Sequence, residues 1–208
     1  MKFLSVVSTA SALALVACSA PNDMPAAKAD SEPAFEQPVA TVAEPDAPAV
    51  GSNVLTSEGY GPLRIGMTQA EVDAVMGKPL LPMAADIDGC SIYKPERAPE
   101  GLSVRISQGV LTRVEITRPS TIKTEAGFAV GDSIDKVRAA YGSRGSWEVH
   151  LYDAGESGRL FVWDKLPEIG DTVFDREARG ITYVVSDTGI VWSIYGGDSS
   201  IQAFEGCA

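Results

Sequence analysis

One histidine, three cysteines and 28 acidic residues are the side chains of this 208-residue chain that could do chemistry. His150 lies in Trp147-Glu148-Val149-His150-Leu151-Tyr152. There the period of a strand turns it away from Trp147, Val149 and Leu151, towards solvent, with no partner to make it a general base. Ser157, in Gly155-Glu156-Ser157-Gly158, lacks the spacing of a nucleophile elbow and reads as a hairpin turn. Asp86-Ile87-Asp88-Gly89 begins like a calcium loop. The remaining ligands and the closing glutamate are missing, so it reads as a turn before Cys90. No histidine and cysteine cluster suits zinc, and Gly196-Gly197-Asp198 ends a strand without cradling phosphate. We therefore expect no metal, no cofactor and no catalytic residue. Paired carboxylates are the one catalytic arrangement left open, because among so many acids such a pair is invisible in sequence.

The cysteines are Cys18, Cys90 and Cys207. Residues 1–17 have the form of a signal peptide: basic Lys2, an apolar run over 4–16, then small residues. The run is too short to span a bilayer. Leu15-Val16-Ala17-Cys18 resembles the bacterial lipobox. That resemblance implies cleavage before Cys18 and lipidation of its thiol, so the chain is anchored to a membrane and does not cross it. Ser19 follows where inner-membrane retention in enteric bacteria uses Asp, which points to the outer membrane, facing the periplasm. With Cys18 lipidated, Cys90 and Cys207 remain as an even pair in an oxidising compartment, and we expect them to be joined.

The formal net charge is -11. Nucleic acid is excluded as a partner, since no basic patch exists to neutralise phosphates. Adhesion to anionic lipid is disfavoured in the same way.

The elements come next. Residues 18–58 hold six of the 13 prolines, scattered acids and no periodicity. They read as a disordered tether, because they cannot bury enough apolar area to offset their ordering entropy. A short strand and a tight turn lead to Gly66. Thr68-Gln69-Ala70-Glu71 is a capping box, which starts a helix over 69–76. Gly77 and Pro79 stop it. Val72, Val75 and Met76 give it one apolar stripe. A strand over 90–94 follows, then a hairpin of 102–106 and 110–117 turning at Ser107-Gln108-Gly109. Its Leu102, Val104, Ile106, Val114 and Ile116 would face the helix, and Ser103, Arg105, Arg113 and Glu115 away.

A weaker copy runs from Gly127 to Gly142: Gly131 matches Gly66, Ser133 matches Thr68, Val137 matches Val72 and Gly142 matches Gly77. Lys136 replaces Glu71, so half of the box is lost. Strands over 147–152, 159–164, 181 onward and 190–195 follow, with a polar loop over 165–179. We expect an α+β fold, with a first module over 59–123 and a second over 124–208, packed as one domain. Alternation turns Trp147, Tyr183 and Trp192 inward, and turns Tyr152 and Tyr195 outward beside His150. Trp163 has no settled register.

The Gly66-Met67-Thr68-x-x-Glu71-Val72 turn and helix, ending at Gly77-Lys78-Pro79, resembles the signature of the small outer-membrane lipoproteins of the SmpA/OmlA (BamE) type. The tandem organisation is similar to that of the β-lactamase inhibitor protein. Both resemblances imply short helices on one face of an antiparallel sheet and a function in binding proteins. The first family has one such module and this chain has two. The expected function is a lipid-anchored envelope protein that binds a protein partner, in outer-membrane assembly or maintenance. The candidate face is His150, Tyr152, Tyr195 and Trp163. An envelope hydrolase using paired carboxylates, or an inhibitor of a hydrolytic enzyme, is the alternative.

Overall fold

The computed structural model describes residues 53–82, 88–149, 157–165, 173, 175–203 and 206–207. The signal peptide, Cys18, the tether as far as 52, His150 and Tyr152 lie outside the described residues.

The fold is α+β and dominated by sheet. Its strands are β1 (Val54–Thr56), β2 (Gly59–Tyr60), β3 (Leu63–Arg64), β4 (Pro79–Pro82), β5 (Cys90–Pro95), β6 (Leu102–Ser107), β7 (Val110–Thr117), β8 (Lys123–Thr124), β9 (Gly145–Val149), β10 (Gly158–Trp163), β11 (Gly180–Val185) and β12 (Val191–Gly197). Helix α1 (Gln69–Met76) falls between β3 and β4, and α2 (Ile134–Tyr141) between β8 and β9. Eight strands form one sheet in the order β4-β5-β6-β7-β12-β11-β10-β9. A small second sheet has the order β3-β2-β1-β8.

Residues 53–58 were expected in the tether, yet 54–56 form β1. This strand pairs in parallel with β8 and antiparallel with β2, and Leu55 is fully buried. Three residues without periodicity carry no strand signal; their neighbours hold them in place. The same pairing ties residues on both sides of the expected boundary at 123/124.

Helix α1 starts as its capping box requires. The Glu71 amide donates to Thr68 Oγ1 at 3.3 Å, and the Thr68 amide donates to Glu71 Oε2 at 2.8 Å. Gly77, at φ 79°, ends the helix with its N–H on the Asp73 carbonyl. Eight residues are marginal as an isolated helix, so α1 is held by docking Val72 and Met76 in the core. Val75 is exposed instead of completing the stripe. In α2 only Ser133 caps, taking the Asp135 amide at 3.3 Å.

The two helix entries are fastened to the large sheet by the same main-chain bonds. Gly66 N–H donates to Leu111 C=O, Leu111 N–H to Met67 C=O, and Gln69 N–H to Gly109 C=O. In the later stretch Gly131 donates to Val191, Val191 to Asp132, and Ile134 to Gly189. Gly66 and Gly131 have φ of 94° and 97°, where a side chain would be strained. Each half also carries a β-bulge. Arg105 pairs with Arg113 and Ile106 with Leu111, leaving Thr112 as the extra residue. Val184 pairs with Ser193 and Val185 with Val191, leaving Trp192 extra.

The core lies between the large sheet on one side and α1, α2 and the small sheet on the other. Leu102, Val104, Ile106, Val114 and Ile116 all enter it. Arg105, Arg113 and Glu115 point the other way, as alternation requires, but not into water. Residues 198–203 and 206–207 form a strap across that face, with a 3-10 turn at Ser199–Gln202, and Arg113 and Glu115 form a buried ion pair beneath it. A disulfide joins Cys90 on β5 to Cys207 at the strap's far end, with Cα atoms 5.4 Å apart. The expected pair is the pair observed.

Candidate functional site

A cleft of about 360 Å³ is lined by Glu125, Tyr141, Arg144, Val162, Trp163, Asp164 and Ile181. Glu125 follows β8, and its amide is held by the Leu55 carbonyl at 3.1 Å. Asp164 follows β10 and takes a hydrogen bond from Ser57 Oγ at 2.7 Å. Both carboxylates stand at the rim and reach solvent. Loss of water around Glu125 raises its carboxyl pKa, and the charge of Asp164 raises it further. Desolvation raises that of Asp164 too, against the lowering effect of the Ser57 bond.

Tyr141 lines the cleft, with Tyr183 behind it in the core. Tyr141 and Tyr183 oxygens lie 2.9 Å apart, and Tyr183 donates to Thr124 Oγ1 at 3.2 Å. Burial drives both phenols up, Tyr183 far more strongly, so neither exchanges a proton near neutral pH. Arg144 lies over the Tyr141 ring, 5.4 Å from its centre. The site therefore offers two carboxylates that hold protons more readily than usual, beside a guanidinium. Among the described residues no three His, Cys, Asp or Glu side chains converge as metal ligands.

Of the residues expected on one binding face, Trp163 and Tyr195 belong to one cluster, which lies under the strap rather than open to solvent. Trp163 is buried, stacked with Phe161 and packed against Ile201 of the strap. Tyr195 is half-buried, with the Arg113 guanidinium 4.3 Å from its ring centre. His150 and Tyr152 fall outside the described residues. Of the three aromatics expected inward, Tyr183 is in the core and Trp147 is half-buried with Arg138 at 3.7 Å from its ring.

Trp192 is the reversal. It is 56 % exposed, and Arg118 lies 5.6 Å from its ring centre. The bulge explains it: Val191 and Ile194 are both in the core, so two residues, not one, must be passed between them. That spacing of three is written in Val191-Trp192-Ser193-Ile194, and again in Leu111-Thr112-Arg113-Val114. The Glu125 and Asp164 pair had no such signal.

No family model, curated protein or solved structure matches this chain.

Proposed function

We propose that this chain is a lipid-anchored protein of the bacterial envelope, at the periplasmic side of the outer membrane, which works by binding another protein. The observation that carries this reading is Trp192, exposed on its bulge with Arg118 beside it. Tryptophan and arginine are the residue types most often found as anchors of interfaces. The lipobox and the proline-rich stretch after it support the envelope setting. The matched main-chain bonds and matched bulges support reading 59–123 and 124–208 as copies of one module. In that reading the duplication supplies a stable sheet, and the second copy has acquired the contact residue.

The test is co-purification of the full-length chain from detergent-solubilised envelopes, beside its Trp192→Ala variant. The expected result is a protein retained by the native chain and reduced about tenfold or more by the variant, with an unchanged melting temperature. The same proteins captured equally by both would overturn the reading.

A second reading is favoured by one observation, the carboxylates of Glu125 and Asp164 in one cleft with both pKa values raised. One carboxyl held protonated beside one ionised is what a glycan hydrolase requires. Turnover of peptidoglycan by the native chain, lost in Glu125→Gln and in Asp164→Asn, would establish it. Turnover that survives both substitutions would dismiss it.

A further inference from the structure

The strap lies on its face of the sheet as a ligand would. The Asp198 amide and Ser200 Oγ both donate to the Thr112 carbonyl, at 3.0 and 3.3 Å. Arg113 Nη1 donates to the carbonyls of Ser200 at 2.9 Å and Ala203 at 3.3 Å. Arg159 Nη1 donates to Gln202 C=O at 2.5 Å, and Arg105 Nε to Gly206 C=O at 2.9 Å. Among the described residues, the strap groups that accept these bonds are main-chain carbonyls. Among the described strap residues Ile201 is fully enclosed, against Phe161 and Trp163, while Asp198 and Cys207 are also buried. This is the division of labour seen in peptide recognition: main-chain bonds hold a segment, and a pocket chooses one side chain.

The floor is also cationic. Arg105 is half-buried, and burial, followed by the charge of Arg113, lowers its pKa. With the strap in place, its carbonyls serve as hydrogen-bond acceptors for these partly enclosed guanidinium groups. The strap's covalent hold is the disulfide to Cys90.

We propose that this face of the large sheet is a peptide-binding surface, occupied in cis by residues 198–203 and 206–207 and opened to a partner's turn-forming segment with a branched aliphatic side chain when the Cys90–Cys207 bond is reduced. The reductant is a dithiol. One of its thiolates attacks a sulfur of the bond, forming a mixed disulfide and releasing one cysteine thiolate. Its second thiol then displaces the other cysteine. Two electrons and two protons pass to Cys90 and Cys207, and the reductant leaves as a disulfide. This surface is separate from Trp192, so each proposal stands or falls alone.

The test uses the full chain with Ile201→Ala and Cys207→Ser together, since a merely unclasped strap stays tethered at millimolar effective concentration. The probe is a labelled peptide of sequence 198–208 with its cysteine replaced by serine, followed by fluorescence anisotropy. It should bind this variant about tenfold or more tighter than it binds the oxidised native chain. The same peptide with aspartate for isoleucine should not bind. No binding to the variant, or equal binding of both peptides, would overturn the proposal. Hydrogen exchange on Cys207→Ser alone guards against misfolding of the double variant. Amides of Ile201 and Ala203 should exchange at least about tenfold faster and ahead of those of β6 and β7, whose rates rise only with the loss of global stability. Unchanged rates at the strap would refute the opening.

Discussion

Thr112 and Trp192 stand at matching bulges in the two halves of the sheet, and their surroundings differ completely. Thr112 is buried, its hydroxyl within 3.3 Å of the Arg105 guanidinium and its carbonyl taken by Asp198 and Ser200. Trp192 lies bare beside Arg118. The glycine turns and the main-chain bonds that fasten each helix to the sheet recur. What does not recur is the side chain presented at the irregularity. The backbone pattern is thus constrained by hydrogen bonding, where every buried N–H and C=O must be met. The residue in the bulge differs, Thr112 in one half and Trp192 in the other. The acidic cleft also belongs to one half. Glu125 follows β8 where the first half, 65 residues earlier, has buried Tyr60.

The comparison can be broken most severely at the disulfide, which covalently links β5 of the first half to the strap. Cys207→Ala removes a closure of 117 residues. In the chain-entropy account this costs about 4–5 kcal/mol. Urea unfolding of the oxidised native chain and the variant measures it; a loss near zero would mean that the strap does not bind the halves together. The helices give a finer test. Val72 and Val137 are both fully buried at equivalent places on α1 and α2. Each change to alanine should cost about 2 kcal/mol. Unequal losses would show that the two halves pack their helices differently.

A smaller effect is expected at the incomplete cap. Lys136→Glu restores the missing half of the box on α2 and places an acid in its first turn, and should stabilise by about 0.5–1 kcal/mol. Thermal melts at low salt would show it, and a fall in melting temperature would contradict the equivalence of Ser133 and Thr68. The smallest effect concerns the cleft. The folded pKa of Glu125 lies above its unfolded value. The contribution of its protonation is therefore fully present below the unfolded pKa of about 4.3 and is lost as pH rises through the folded pKa. Glu125→Gln should thus be slightly more stable than the native chain at pH 7, an advantage that disappears at pH 3.5. Denaturant midpoints at both pH values decide it, and an advantage that persists in acid would rule out the electrostatic cause.

The sequence was most legible where a local rule sets the structure. The capping box, Gly77 and Pro79 place α1 at Gln69–Met76, and alternation gives the inner residues of β6 and β7. Cysteine parity gives the disulfide. Legibility failed where distant segments decide. Nothing in residues 54–56 shows that β8 will hold them. Alternation says that Arg113 and Glu115 turn from the helices, but not that a strap then seals them from water. Strict alternation also misplaced Trp192, although the spacing of Val191 and Ile194 carried the correction. Glu125 and Asp164 come from strand ends far apart in sequence and meet only through the fold.

The order of the large sheet has a bearing on how the chain matures. In the second half β9, the first strand made, lies at the outer edge, and β12, the last, forms the seam with β7. As the chain emerges from its N-terminus, the first half therefore carries β7 as an open edge until residues 191–197 arrive. An unpaired edge is a template for the wrong neighbour, and pairing of strands so far apart in sequence is slow. For that interval the nascent protein would depend on shielding by something other than itself.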